Sequence, residues 1–475
     1  MRTLFRKDAK HAFEDVTYYM SSDMEAAIEK WMDLEGSGNR QPSWCTGDVR
    51  SIRFSNTVAR ELARLITLSI DIKVDEAYGT DQTARGMQAA LDGAFLAKSQ
   101  EVLEKCIRMG GVMAKWNGEG MDYLTPDRFL VTDYDSNGAI TGAVFFTYYA
   151  QGKLYYTRAE YHRYTEGKTY QISNKAFVSE RPDDIGRQIS LDKTKWADIE
   201  PETTISNLER PLFTYLKNPC SNTVDPDSPL GVSIFNECLE ELRWLDIAIS
   251  MMGVEQEESQ PIMFVDSSTV QYAVDHALKL PKFVKGMDLG VSPENTIQQW
   301  QPALQVESRK DAINFYLSII SYKCGFDAGY FVFNGQNIEM ATATQVEATE
   351  RRVVDTVLSY RSLLERPNAN GDGRVGFIHD LAYIISSMDA ASGRIAPTEF
   401  GNYQIYCDFA DLTENREENK AFDYQLTMQG FMSKVRFLVR NLGLTEDEAQ
   451  KMVQEAQQEL SAAQQAVGGL FPEGE

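Results

Sequence analysis

The chain has 475 residues, room for about three units at roughly 150 residues each. Apolar residues make up 43% and aromatics 11%, enough for packed cores, which excludes an intrinsically disordered chain. A formal net charge of −23 excludes a module that grips nucleic acid by neutralising phosphates, because that affinity needs a basic face.

In chain order, the first 125 residues read as mainly helical. Ser22 and Asp23 are placed to cap a helix running towards Leu34 and ended by Gly36. Ser55 is placed to cap a second, with Val58, Leu62, Leu65, Ile66 and Ile70 on one face. Residues 83–108 continue in this style until Gly110 and Gly111. From Tyr123 the pattern changes to short β-branched and aromatic runs at 129–132, 142–149, 153–157 and 170–172. The turn formers at 135–138 and 151–152 separate them, which predicts a small antiparallel β unit. Glu160 and His162 are two apart and share a strand face. With no nucleophile or third partner in view, the pair reads as structural.

Arg210 to Pro219 is an extended segment bracketed by prolines, and a loop follows it to Gly231. A long helix is predicted from near Val232, with Phe235, Cys238, Leu239, Leu242, Leu245, Ile249 and Met252 as its apolar stripe. Glu237, Glu240, Glu241 and Asp246 mark its other faces. Residues 260–304 read as a compact mixed insert: a strand at 261–265, a short helix at 268–278 and a strand at 296–300. Lys279, Lys282 and Lys285 form a basic island there. A second helix, Val306 to Lys323, carries Ile313, Tyr316, Leu317 and Ile320 on one side.

After Gly325 and Gly329 comes a short polar stretch, 334–339. Thr344 and Glu347 then have capping-box spacing, where each side chain bonds an orphaned backbone N–H at a helix start. Val346, Val353, Val354, Val357, Leu358 and Leu364 recur at helical spacing until Pro367. Residues 374–380 and 403–409 bracket a return, and three helices close the chain. They are read at about 414–429, about 433–442 capped by Ser433, and about 446–466 opened by a second capping box at Thr445 and Glu448.

Two blocks carry a resemblance. The first runs from Gly325 through the polar stretch to the helix start Thr342, Ala343, Thr344, Gln345 and Val346. The second is the aromatic strand Leu154 to Tyr164 with its Glu160, Tyr161 and His162, followed by Tyr170 to Lys175 with Ile172 and Asn174. Both resemble portal proteins of tailed bacteriophages of the siphophage type. Pro229 to Phe235 is similar to the start of their first stem helix, and the signals at 430–434 and 444–449 to those of their crown helices. Gln345 stands where such portals often carry glutamate.

The resemblance implies an α+β, predominantly helical portal fold. Residues 1–229 would be a wing (helices, then a β-rich 125–205), 230–259 the first stem helix, 260–304 a small α/β clip and 305–327 the second stem helix. A tunnel loop (328–343), a wing spine helix with its return (344–411) and a C-terminal helical crown (412–475) would follow. The implied function is a dodecameric ring at one capsid vertex, through which DNA is packaged and ejected. The implied partners are other copies of the chain, the terminase large subunit, the major capsid and scaffolding proteins, and a head-completion or neck adaptor. Double-stranded DNA would pass transiently and non-specifically. Asn334, Gly335, Gln336, Asn337, Ile338, Glu339 and Met340 would reach into the channel. Glu237, Glu240, Glu241 and Asp246 would line the stem and repel phosphates, and Lys279, Lys282 and Lys285 would dock a partner on the clip. The setting would be the portal vertex of the virion, assembled in the host bacterial cytoplasm.

Other chemistry finds little footing in the residues. Gly167, Lys168 and Thr169 end like a phosphate-binding loop, but His162 replaces the glycine required five positions earlier. Asp133 to Gly138 starts like a calcium loop, yet its twelfth position is Val144, and the run from Asn368 likewise reaches His379. Six cysteines, Cys45, Cys106, Cys220, Cys238, Cys324 and Cys407, lie far apart in sequence without paired ligand spacing and read as buried thiols of a reducing cytosol. No apolar run approaches the roughly 20 residues of a membrane helix, and Met1 to Asp8 lacks the apolar core of a secretory signal. No enzyme, metal or cofactor is expected. The alternatives are another phage neck or tail adaptor and, behind it, a metal-dependent hydrolase suggested only by abundant acids.

Overall fold

The computed structural model describes residues 9–35, 40–74, 81–165, 168–182, 184–259, 262–266, 271, 275, 284–287, 297–300, 305–333, 343–365, 376–391, 405–409, 423–429, 432–442 and 448–456. The chain divides into two units, Met1–Ala410 and Asp411–Glu475. Its elements are helices and mainly antiparallel sheets, an α+β mixture.

Helix α1 (Ser22–Glu35) starts where the Met24 N–H donates to Ser21 Oγ at 3.2 Å, so the cap lies one residue before the predicted Ser22. Helix α2 (Phe54–Ile66) buries Val58, Leu62 and Ile66 as expected, but Ser55 does not cap it. Left-handed Arg53 precedes the helix, and the Ser55 hydroxyl is buried without a hydrogen bond. Strand β1 (Asp71–Val74), α3 (Asp81–Ala94) and α4 (Ser99–Met109) follow. Gly110 ends α4 in the left-handed conformation at φ +86.

Strands β2 (Gly111–Trp116) and β3 (Met121–Leu124) come next, then β4 (Phe129–Tyr134), β5 (Ile140–Gln151), β6 (Leu154–Thr165), β7 (Thr169–Ser179), β8 (Arg187–Ile189) and β9 (Glu202–Ser206). The last six form one antiparallel sheet in the order β4-β5-β6-β7-β8, with β9 also on β7. The predicted turns are where they were read. The Asp135 carboxylate accepts from the Asn137 and Ala139 N–H groups, and Gly138 takes φ +79. This loop is therefore an Asx turn. Lys168 lies in the β6–β7 turn, its N–H donating to the Thr165 carbonyl, and Thr169 opens β7; Gly167 falls outside the described residues.

Strand β10 (Phe213–Lys217) is the proline-bracketed segment and pairs with β2. The sheet β10-β2-β3 packs on one face of the larger sheet through Phe213, Met113 and Phe145. The N-terminal segment covers the other face, with the Phe13 ring against Tyr161. Between them lies a core in which Phe129, Leu130, Val131, Val144 and Phe145 are fully buried.

Helix α5 (Leu239–Glu258) begins seven residues later than the predicted Val232. Residues 234–237 instead form a turn, with Phe235 buried in it and Val232 and Cys238 buried on either side. Strands β11 (Ile262–Asp266), β12 (Val284–Met287) and β13 (Ile297–Trp300) make a three-stranded sheet, β12-β11-β13, parallel on one side and antiparallel on the other. The expected strands at 261–265 and 296–300 are present, residues 271 and 275 of the expected helix are helical, and β12 was not anticipated. Helix α6 (Val306–Lys323) returns alongside α5.

Helix α7 (Ala343–Glu365) buries Val353, Val357 and Leu364 as predicted, whereas Leu358 is exposed and Tyr360 is buried. It starts one residue before Thr344; the side chains of Thr344 and Glu347 lie outside the described residues. Helix α8 (Phe377–Ala391) packs on β10, where Asp380 accepts from Thr214 and pairs with Arg210. Strand β14 (Ile405–Asp408) pairs antiparallel with β1 as a two-stranded sheet.

In the second unit, residues 423–428 and 448–456 are helical, and α9 (Lys434–Leu442) lies between them. The Arg436 N–H donates to Ser433 Oγ at 3.1 Å, the predicted cap. Asn441 binds the Asp423 carboxylate at 2.9 Å. The capping box at Thr445 and Glu448 and the loop from Asn368 fall outside the described residues, apart from Glu448 itself.

Candidate functional site

The antiparallel pair α5 and α6 frames the three-stranded insert, and its geometry follows from three faces of α5. One face packs on α6, and Leu242 and Leu245 of α5 and Ile313, Leu317 and Ile320 of α6 are buried. Polar clamps close both ends. At the foot, Lys323 Nζ donates to the Glu241 carboxylate at 2.5 Å and to the Glu237 carbonyl at 2.7 Å. At the top, Glu255 accepts from the Gln305 N–H at 3.1 Å and pairs with Arg309.

A second face of α5 meets the segment 44–52. Asp246 is only 3% exposed and accepts from the Trp44 indole and the Ile52 N–H, each at 3.0 Å. Burial pushes its carboxyl above the usual carboxylate range, against the pull of bonds from Ser51, Ile52 and Trp44. Asp246 was expected to line a channel; its carboxylate faces the protein instead, because these donors are its partners. Glu240 is open to solvent at 72% side-chain exposure, Glu237 is exposed in the turn before the helix, and Glu241 is engaged by Lys323.

The third face is apolar, exposed at Trp244 and half-buried beyond it. Trp244 is 47% exposed, and Ile247, Met251 and Val254 follow it at i+3, i+7 and i+10. On α6 the outward side carries Phe315 at 61% exposure, with Ile319 one turn on. The Phe333 N–H binds Asn314 beside it, and the Phe333 ring is itself 70% exposed. A helix that is apolar on more than one side is built to be covered on more than one side.

Asn334 to Met340, Lys279 and Lys282 lie outside the described residues; Lys285 sits on β12 opposite Phe264, its side chain undescribed.

Sequence reading found only half of a second cluster. Glu160 and His162 share a face of β6 with Arg158, and β2 adds Lys115. Glu160 Oε2 accepts from Lys115 Nζ at 2.5 Å and from Arg158 at 2.9 Å. Glu160 Oε1 accepts from His162 Nε2 at 2.8 Å, leaving Nδ1 to accept from the Tyr170 hydroxyl at 2.5 Å. Burial alone would raise the Glu160 carboxyl, but Lys115, His162 and Arg158 outweigh it and hold it well below the usual range. Burial pushes His162 down, with Glu160 opposing and Lys115 and Arg158 reinforcing. The relay thus joins two sheets through buried charge-assisted bonds. Lys115 was invisible beforehand because only the β2–β6 stacking supplies it.

The cysteines form a third feature. Only Cys106, Cys238 and Cys324 are buried; Cys45 and Cys407 are half-buried and Cys220 is exposed, which corrects the all-buried expectation. Four of them also gather in space. Cys106 and the Tyr360 hydroxyl both donate to Asn218 Oδ1, and Cys220 lies against the Val232 carbonyl. Cys238 and Cys324 sulfurs are 3.7 Å apart at the foot of the hairpin. Among the described residues no group of three His, Cys, Asp or Glu side chains is placed to hold a metal ion, and no helix is long and apolar enough to cross a membrane.

No family model matches the sequence. None of the curated proteins matches it either. Among solved structures, the fold is similar to a chain described as the neck of an empty GTA particle computed with C6 symmetry. The TM-score is 0.41 and the identity 11%, over 93% of this chain and 98% of that one.

Proposed function

We propose that this chain is a portal-type subunit. Copies assemble side by side into a ring at a capsid vertex, and the ring is a conduit for double-stranded DNA. The observation that carries the reading is the α5/α6 hairpin. It is clamped at both ends and frames a small α/β insert, while Trp244 on one helix and Phe315 on the other are exposed. The two helices differ, so one copy's Trp244 side meets the next copy's Phe315 side, a head-to-tail contact that closes into a ring when the rotation allows. Exposed Glu237 and Glu240 belong to the foot of the hairpin, where negative charge keeps DNA sliding without sticking. The order helix, insert, helix and the two sequence blocks support the same assignment. In this reading the polar loop 334–340 touches passing DNA, and the insert docks the terminase large subunit and later the neck adaptor. ATP hydrolysis belongs to that motor.

The test is the particle mass of the purified chain by native mass spectrometry, with negative-stain images. A hollow ring of many copies is expected, reduced to single subunits by Trp244→Glu or Phe315→Glu. Wild-type protein that stays a single subunit at every concentration, also with capsid components present, overturns the reading. Rings in which both variants assemble normally would point to a neck or tail adaptor joined through other surfaces. Removing 335–340 should leave rings intact and impair packaging; loss of rings would make that loop a folding element.

A further inference from the structure

We propose that Cys238 and Cys324 are a paired oxidation site, converted by a small peroxide into a disulfide that ties the two feet of the hairpin together. The pair stands apart from the assembly reading and does not depend on it. Cys238 closes the turn before α5, where its N–H binds the Phe235 carbonyl and its own carbonyl receives the Leu242 N–H. Cys324 follows α6, its N–H bound to the Ile320 carbonyl. Next to it, Gly325 at φ +82 redirects the chain, and its carbonyl is held by Thr356. Lys323 spans the same gap to Glu237 and Glu241. Both backbones are thus fixed side by side, with the sulfurs 3.7 Å apart. A disulfide is about 2.05 Å long, so less than about 2 Å of side-chain movement closes it.

The chemistry balances with hydrogen peroxide as the oxidant. One thiol attacks the peroxide to give a sulfenic acid and water. The neighbouring thiol displaces the sulfenic oxygen as a second water, forming the S–S bond; two thiols lose two electrons and two hydrogens, and the peroxide is reduced. Both sulfurs are buried, which favours a small oxidant such as hydrogen peroxide over a bulky disulfide reagent. The Cys238 contact and burial both raise the Cys324 thiol well above its usual range, which slows the first step. The second step follows at contact distance, so neither a stable sulfenic acid nor over-oxidation accumulates. A reducing cytosol keeps the pair as thiols; oxidising surroundings close it.

The experiment treats the full-length protein with hydrogen peroxide, quenches, denatures, alkylates and maps the peptides. The expected result is a fall from six free thiols to four, one cross-linked peptide pair joining 238 and 324, and faster migration on a non-reducing denaturing gel. Cys238→Ser and Cys324→Ser should each keep five free thiols and lose the gel shift. A cross-link mapping to any other pair overturns the proposal, as does sulfinic acid at either position without a disulfide, or no thiol loss on prolonged exposure. The wild-type map decides the question even if a serine variant fails to fold.

Discussion

Replacing Glu160 by glutamine keeps the shape of the buried relay and removes its carboxylate charge. Lys115, 1% exposed, and Arg158, 8% exposed, then sit as cations without their counter-charge. Breaking a buried ion pair by removing one partner costs about 3–5 kcal/mol. For the unit that contains the sheets, Met1–Ala410, an unfolding entropy of about 2.1 cal/mol/K per residue makes this a fall of roughly 3–6 °C in Tm. Thermal melts at neutral pH, with hydrogen exchange at β5, β6 and β7 to locate the loss, measure it. The pH dependence gives an independent arm. The folded-state Glu160 pKa is depressed, so its contribution is present above the unfolded carboxylate value of about 4.3 and is lost as pH falls towards the folded value. His162 is also depressed, so protonation of the unfolded chain below about 6.5 draws stability away first. Both groups make the wild type weaken on acidification, and Glu160→Gln should flatten the lower part of that profile. Adding Lys115→Met should recover part of the loss, because it removes the stranded charge. A variant within about 1 kcal/mol of wild type, with an unchanged acid profile, would refute the argument that this relay fastens the two sheets.

Three further outcomes are expected. Gly110→Ala should cost about 1–3 kcal/mol from the left-handed backbone alone, and more because its Cβ would sit 2.5 Å from the Gly231 carbonyl oxygen; denaturant melts check this. Arg361→Met removes the guanidinium that holds the Leu65 and Ile66 carbonyls at the end of α2. A loss of about 1.5–3 kcal/mol follows for charge-assisted bonds, read by Tm. Ser433→Ala should weaken α9 by about 1 kcal/mol, visible as faster proteolysis within Asp411–Glu475.

Period and turn chemistry made several elements legible beforehand. The β4–β7 strands are β-branched and aromatic runs marked off by turn formers such as Gly138 and Gly152, both at positive φ, and both helices of the hairpin lie where apolar spacing put them, apart from the late start of α5. That start was misjudged because Phe235 and Cys238 are buried ahead of the helix and extend the apolar pattern backwards. Strand β2 escaped notice because it follows a helix directly and is buried on both faces, so it does not alternate. Helix α8 is almost wholly apolar around its middle, from Leu381 to Ile385, and such a run does not reveal its period. The relay and the thiol cluster needed the tertiary fold. Lys115 meets Glu160 across two sheets and Cys238 meets Cys324 across the hairpin, pairings with no mark in local spacing.

The β1–β14 pairing sets a demand on synthesis. Asp71 pairs with Asp408, so the partner of β1 leaves the ribosome about 330 residues later, tens of seconds at ordinary elongation rates. Throughout that interval β1 is a naked edge, able to recruit any passing strand. A nascent chain halted before residue 405 carries that hazard permanently, which makes premature termination in this gene a cause of clumping as well as of lost product.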